Sequence, residues 1–155
     1  MTELMVVVVI AGVLAAMAVP SFKSMNQSQQ VKNASYDLYA SLILARSEAI
    51  KRNSNVTITP VLYPVALPTA HNEYGWVIAA GTVTIQTQSQ LKNISLTPTP
   101  NNSPWVTYQR TGRTTPTSAS TFLIDVYGTT TSNARCIKIE LSGMPRGYNP
   151  VAGAC

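Results

Sequence analysis

Few side chains in this sequence are of the types that carry out catalysis or bind metals. The 155 residues include one histidine, His71, and two cysteines, Cys136 and Cys155. A catalytic nucleophile needs an adjacent base and a zinc site needs about four ligands, so this inventory disfavours both kinds of site. Nucleophile elbows, phosphate-binding loops, C-x-x-C pairs and closely spaced acids are also missing from the sequence. We therefore expect no enzyme, no metal and no other cofactor, with His71 as a surface residue of a proline-flanked loop.

Basic residues are the second group with possible chemistry, and they concentrate in the C-terminal part. The formal net charge is +5, and from residue 92 onward six basic residues outnumber two acids. Arginines beside tyrosines could contact DNA phosphates and stack on bases. The candidate DNA-binding residues are Arg110, Arg113, Arg135, Lys138 and Arg146. The alternative is that these are scattered solvated charges or contacts to neighbouring proteins.

The start of the chain is its most apolar part. Leu4 to Val19 is a run of sixteen residues without charge, amide or hydroxyl. As a helix it spans about 24 Å, a borderline length for crossing a bilayer. Glu3 before the run and Lys23 after it reverse the charge order of a secretory signal peptide. Glu3 is either a favourable first-turn acid at the headgroup level or a functional carboxylate with a partner cation.

A second helical pattern follows Pro20, where we expect a kink. From Val31 to Ala49, apolar residues recur at spacings of three and four and form one stripe. Glu48 lies four residues before Arg52, which predicts a surface ion pair, and Asn53-Ser54-Asn55 predicts the helix end near Arg52. The sequence thus predicts a continuous helical rod.

Beyond residue 56 the sequence is typical of short strands and turns, because Val, Ile, Thr and Tyr alternate with clusters of Pro, Gly, Asn and Ser. Seven strands in one or two antiparallel sheets are expected. They are Val56–Leu62, Gly75–Ala79, Thr82–Gln88, Ile94–Thr97, Trp105–Gln109, Thr121–Tyr127 and Cys136–Leu141. The predicted fold class is α+β, with an apolar helix over residues 1–25, its amphipathic continuation over 26–53 and a β-rich head over 54–155.

The N-terminal segment Thr2-Glu3-Leu4-Met5, with Pro20-Ser21-Phe22 later, resembles the signature of type IV pilins and type II secretion pseudopilins. In that family a peptidase removes a short leader ending in Gly, and the mature chain opens with a methylated Phe. This sequence lacks the leader, the Gly and the Phe, so we expect the natural chain to start earlier, with Met1 at an internal position. The resemblance implies that Glu3 is the filament-core glutamate, which neutralises the N-terminal amine of a neighbouring subunit.

A second segment resembles one group within these pilins and pseudopilins. Ala45-Arg46-Ser47-Glu48-Ala49, followed by Arg52 and Val56, is similar to the ARSEAxxRxxxV segment of the GspH/FimT group of minor pilins and pseudopilins. The resemblance implies a pilin-like fold and a minor subunit of a type IV pilus, at or near the filament tip. Implied with it are anchoring in the bacterial inner membrane, the head in the periplasm, and assembly with other pilins.

Two alternatives of the same architecture stay open. One is a minor pseudopilin of a type II secretion system, whose partner is secreted cargo; the other is a DNA-binding minor pilin for natural transformation. The G-R-x-R-like turn of the group is replaced here by Gly143-Met144-Pro145-Arg146.

A head outside the inner membrane would meet oxidising conditions, so the resemblance also implies a disulfide between Cys136 and Cys155. Two free buried thiols are the alternative. Because such a C-terminal loop is common among type IV pilins, it favours a pilus subunit over a secretion pseudopilin.

Overall fold

The chain consists of one long helix followed by a head of short strands. The computed structural model describes residues 2–65, 71–128, 133–151 and 153–155, without the side chains of 15–21, 65, 71 and 72. In these ranges α1 (Thr2–Arg52) precedes eight strands. These are β1 (Val56–Val65), β2 (His71–Ala80), β3 (Val83–Gln88), β4 (Ile94–Thr99), β5 (Val106–Tyr108), β6 (Thr121–Val126), β7 (Arg135–Ile139) and β8 (Pro145–Tyr148). The α+β fold expected from the sequence is therefore observed.

Helix α1 is continuous over 51 residues and ends where the sequence predicts. Asn53 has a φ of 51°, the left-handed conformation that Asn tolerates at a helix C-terminus, and Ser54 N donates to the Ala49 carbonyl at 3.2 Å. Lys51 and Arg52 in the last turn complement the helix dipole. The backbone is helical through residue 20, whose side chain lies outside the described residues, so the kink at Pro20 stays a prediction.

The strands form two four-stranded antiparallel sheets, in the orders β3-β2-β1-β5 and β4-β6-β7-β8. Strand β1 contains Pro60 and Pro64, which cannot donate to a ladder. It tolerates them because β5 pairs only with Val56–Ile58, so the described pairing at both prolines is with β2 alone.

Two expectations from the sequence are wrong. His71 is not in a loop: it is the first residue of β2 and pairs with Val65, since β1 continues through both prolines. The strand β8 was not expected, because Pro145 and Gly147 indicate a turn. Pro at the first position of an edge strand is nevertheless compatible with pairing, and Pro145 lies opposite Ile139.

Aromatic side chains join the helix and both sheets at the centre of the core. The Trp105 ring lies 6.4 Å from Trp76 on β2 and 5.9 Å from Phe122 on β6, between ring centroids. Trp76 Nε1 donates to Ser41 Oγ of α1 at 2.9 Å, which satisfies the indole N–H in the core. The apolar stripe expected on α1 is buried here: Val31, Ala34, Leu38, Leu42, Ala45 and Ala49 are each at most 2% exposed.

Candidate assembly and binding surfaces

The first half of α1 presents apolar side chains to solvent. Leu4, Val7 and Leu14 are each at least 63% exposed, and Glu3 lies in the first turn of the helix. An apolar surface of this extent is typical of an interaction site. Within the part of the chain that is described, no helix combines the length and the apolar character that a membrane crossing requires.

The second half of α1 carries Arg46, which ties two distant turns of the head to the helix. Arg46 Nε donates to the Gly112 carbonyl at 3.0 Å, and Nη2 donates to the Ser142 carbonyl at 3.4 Å. Nη1 also contacts Met144 Sδ at 2.9 Å. One charged side chain thus satisfies carbonyls in the turn after β5 and in the turn between β7 and β8.

The two turns that Arg46 contacts also touch each other. Gly143, with a φ of 82°, lies so close to Gly112 that a Cβ at position 143 would overlap the Gly112 carbonyl oxygen. The phenol of Tyr108 donates to the Gly143 carbonyl at 3.1 Å. Burial raises the pKa of Tyr108, and the positive charge of Arg46 opposes this increase.

The predicted ion pair at the end of α1 is present. Arg52 Nε lies 2.6 Å from Glu48 Oε2, and Lys51 Nζ lies 3.6 Å from Glu48 Oε1. The hydrogen bond from Arg52, assisted by the charge of Lys51, lowers the pKa of Glu48 although partial desolvation opposes the shift. In the ARSEA segment, Arg46 therefore secures the head while Glu48 stabilises the helix end.

Cys136 and Cys155 form a disulfide with a Cα–Cα distance of 5.7 Å. The bond joins β7 to the end of the described chain across a sequence separation of 19 residues. Tyr148 supports the same region, since its phenol donates to the Cys155 carbonyl at 3.3 Å. The pairing implied by the resemblance is therefore observed.

The candidate DNA-binding residues fall on separate surfaces. Lys138 and Arg146 lie directly opposite each other on β7 and β8, and both are exposed. Arg146 Nε also contacts Glu140 Oε1 at 2.9 Å. Arg113 approaches the same turn, with Nε 3.3 Å from the Leu141 carbonyl oxygen, and borders a shallow cavity of about 490 Å³.

The other two candidates lie elsewhere. Arg110 is exposed in the turn after β5, next to the end of α1 at Asn53. Arg135 shares one face of β7 with buried Ile137 and Ile139, and it therefore points towards the helix side of the sheet. It lines a cleft of about 410 Å³ between α1 and β7–β8, here called the α1–β7 cleft, together with Lys32, Ser35, Tyr36 and Tyr148.

Side chains that commonly bind metals do not cluster in the ranges described. No group of three or more His, Cys, Asp or Glu side chains in these ranges could hold a metal ion. Glu73 is buried but structural: it accepts hydrogen bonds from Gln90 Nε2 at 2.5 Å and from Asn93 N at 2.7 Å, linking β2 to the β3–β4 connection. Sequence reasoning missed this residue, because a single acid in a strand pattern gives no sign of burial.

Comparison with known protein families identifies the family to which this chain belongs. The model of the family described as Type II transport protein GspH matches residues 34–143, more than half of the chain. The chain belongs to the GspH family. The match contains the buried stripe of α1 from Ala34 onward, Arg46 and the two carbonyls that Arg46 contacts, and it ends at Gly143.

Solved structures agree with this assignment at the level of the fold. The type IV minor pilin FimU of Pseudomonas aeruginosa, in crystal form P65, is similar with a TM-score of 0.59 and 19% identity, over 76% of this chain and 91% of FimU. In crystal form P21 the values are 0.60 and 20%, over 79% and 90%. Comparison with curated protein sequences gave no match.

Membership of the GspH family places the chain in the type IV pilin and pseudopilin superfamily, as the sequence resemblance implied. The members of this superfamily are structural subunits that assemble with other pilins or pseudopilins and are anchored in the inner membrane. The exposed apolar half of α1 is the surface of this chain suited to such assembly.

Proposed function

We propose that this GspH-family chain is a minor pilin of a type IV pilus, held in the inner membrane by the apolar half of α1 and then assembled at or near the filament tip. The observation that carries this proposal is the contrast along α1. Its first half exposes apolar side chains such as Leu4 and Leu14, whereas the apolar stripe of its second half is buried against the head. Lipid before assembly, and similar helices after it, would remove the same apolar surface from water.

Glu3 supplies specificity in this proposal. A carboxylate that enters an apolar filament core without a partner is costly, whereas pairing with the N-terminal amine of a neighbouring subunit offsets that cost. Wrong registers of the helices would leave Glu3 unpaired. The carboxylate thus selects the register rather than adding much stability.

The C-terminal disulfide supports a pilus over a secretion system, because such loops are common among the type IV pilins that the sequence resembles. The description of the matching family, Type II transport protein, supports the competing assignment of a minor pseudopilin whose partner is secreted cargo. The two assignments predict different phenotypes.

Deletion of the gene in its native host separates them. We expect fewer surface pili in the sheared fraction and normal secretion of exoproteins, with rescue by the natural gene. Glu3→Ala should leave the protein in the membrane and fail to restore pili, while the control Glu48→Gln on the same helix should restore them. Lost secretion with normal piliation would instead establish the pseudopilin assignment.

DNA binding is a second candidate function, favoured by the cross-strand pair of exposed cations Lys138 and Arg146 with Arg113 at the adjoining turn. The test is a DNA titration of the full chain in detergent at two salt concentrations. Changing these three residues to Ala should weaken binding and reduce the salt slope by about one for each phosphate that the variant no longer neutralises. The control replaces Lys23, Lys51 and Arg52 by Ala, which removes the same charge elsewhere. Equal reductions of affinity in both variants would exclude this surface.

A further inference from the structure

Two cations from distant parts of the chain line the α1–β7 cleft. Lys32 comes from α1 and Arg135 from β7, and both are partly buried. Arg135 Nη1 donates to Asn149 Oδ1 at 2.6 Å, and this neutral partner fixes the guanidinium without cancelling its charge. Among the described residues neither cation has an ion pair, and no acid lines the cleft. The cleft is therefore an electropositive recess suited to a carboxylate.

A glycine keeps the strand side of the cleft open. Gly147 lies on β8 directly opposite Ile137, so a side chain at this position would lie on the sheet face that carries Arg135. Gly147 does not have a positive φ, and of the described atoms a Cβ built on it would meet only the Cys136 carbonyl oxygen, at 3.9 Å. Neither the backbone nor crowding within the described chain therefore requires glycine here. A glycine inside a strand is typical of a place where another molecule approaches closely.

The helix side of the cleft continues into the exposed apolar half of α1. Phe22, Gln29 and Tyr36 recur every seven residues and therefore lie on one face of the helix. Met25 and Lys32, also seven residues apart, lie beside them. Phe22 and Met25 are exposed, and Tyr36 is 71% exposed. A neighbouring helix that covers the apolar half can follow this face for about 21 Å and arrive at the cleft.

We propose that the α1–β7 cleft binds an acidic side chain on the long helix of a neighbouring pilin of a different kind. The carboxylate meets Lys32 and Arg135, and the adjoining turn of the partner helix packs on the ring of Tyr36. The inference rests on the function proposed above and names one contact within it. Because a minor subunit has other pilins as neighbours, the partner is a different subunit of the mixed filament and not a second copy of this chain. The contact selects a partner that carries an acid at this level of its helix.

Photocrosslinking in the native host tests the contact and identifies the partner. A tagged full-length chain, produced in place of the natural one, carries benzoylphenylalanine instead of Tyr36, so that one exposed aromatic ring replaces another. Irradiation of intact cells should yield a covalent product with another pilin. Mass spectrometry of this product should place the crosslink close to an Asp or Glu of that pilin. A product that contains only copies of this chain would overturn the proposal.

Variants of the cleft show whether the crosslink depends on it. Lys32→Glu should lower the yield from position 36 on the order of tenfold, because it sets a like charge against the acid of the partner. Gly147→Leu should lower the yield similarly because its side chain fills the cleft, whereas Gly147→Ala leaves room and should not. The control Lys92→Glu makes the same charge change at an exposed turn outside the cleft and should leave the yield unchanged. Equal losses for Lys32→Glu and Lys92→Glu would contradict the contact.

Charge exchange between the two subunits gives a gain of signal that a misfolded variant cannot produce. The acid located by mass spectrometry is changed to Lys in the partner. This change should lower the yield with the natural residue at position 32 and restore it with Lys32→Glu, because the opposite charges are then paired again. Failure to restore the yield would overturn the contact.

A second probe separates failure of this contact from failure of the proposed function. Benzoylphenylalanine at position 7, in the apolar half of α1, reports assembly with other pilins. Crosslinks to other pilins from position 7 but not from position 36 would overturn the contact while the minor-pilin assignment stands. Absence of crosslinks to other pilins from both positions would overturn the contact together with the proposed function.

Discussion

Arg46 shows how one residue determines the relative position of distant parts of the head. Its carbonyl partners Gly112 and Ser142 are 66 and 96 residues away in sequence. The spacing of apolar residues along α1 places Arg46 outside the apolar stripe. It cannot identify the two carbonyl partners, since local spacing indicates only which face of a helix is buried. The resemblance of the ARSEA segment marked Arg46 as part of a motif, and only the folded chain gives the reason.

Replacing Arg46 by Lys should therefore destabilise the chain. Lys keeps the charge but has no planar fork to reach both carbonyls, so we expect a decrease of about 2 kcal/mol in the free energy of unfolding. Urea unfolding in detergent, followed by the fluorescence of buried Trp76 and Trp105, measures it. The control Arg52→Lys, at an exposed ion pair, should cost at most about 0.5 kcal/mol. Equal decreases at the two positions would contradict the role given to Arg46.

Gly143 should not tolerate a side chain. Gly143→Ala adds a Cβ that overlaps the Gly112 carbonyl oxygen, in addition to strain from a φ of 82°. The control Gly81→Ala, with a φ of 59° and open space around the added Cβ, introduces the backbone strain alone. We expect about 1 kcal/mol for Gly81→Ala and at least about 3 kcal/mol for Gly143→Ala in the same unfolding assay. A similar cost for both would mean that the two turns separate easily.

Tyr108 should make the chain sensitive to alkaline pH. Burial raises its pKa above the ordinary value of 10.0, so the phenol ionises more readily in the unfolded chain than in the folded one. This difference in pKa stabilises the folded chain fully at pH values below the ordinary pKa, and the stabilisation is lost as the pH rises towards the pKa of the folded chain. Tyr108→Phe should be about 1 kcal/mol less stable at neutral pH, and this difference should shrink at pH values above 10. A difference that is independent of pH would contradict this sign.

At the scale of elements, the sequence predicted α1 and seven of the strands because their signals are local. The spacing of Val31 to Ala49 and the Asn-Ser-Asn end of the helix suffice for α1. The division into two sheets could not be predicted, since pairing between Val56 and Tyr108 joins residues 52 positions apart. Strand β8 and the full length of the β1–β2 hairpin were missed because both contain proline, which in a sequence indicates a turn. Only the fold shows that, within the described part of the chain, the strand edge beside each proline is unpaired, so that proline is tolerated there.

The C-terminal disulfide should contribute measurably to the stability of the sheet that contains β7. The loop between Cys136 and Cys155 spans a sequence separation of 19 residues, which corresponds to about 3 kcal/mol in the chain-entropy model. Cys155→Ser should lower the free energy of unfolding by that amount, and reductant should lower it equally in the unchanged chain. Reductant should have no effect on the Cys155→Ser variant. An unchanged midpoint on reduction of the natural chain would contradict the expectation.

At the scale of the whole molecule, the sequence identified the basic residues but not their distribution. A count of charges after residue 92 treats five candidates as one group, whereas the fold separates Arg135 in the α1–β7 cleft from Lys138 and Arg146 on the outer face. The sequence did not single out Lys32, because Arg135, the other cation of the cleft, is about 100 residues away along the chain. Sites formed between a helix and a remote strand are thus beyond local patterns.

The unbroken course of α1 has a mechanical consequence. A rod of 51 helical residues is about 77 Å long, and side chains of its stripe are first fully buried at Val31. Tension between the two ends passes through Ser24–Gln30, where backbone hydrogen bonds hold the helix and no side chain is fully buried. Under load we expect this segment to unwind before the packed parts of the helix on either side of it separate from their contacts. The helix would therefore lengthen while it is pulled and shorten again when the load is removed.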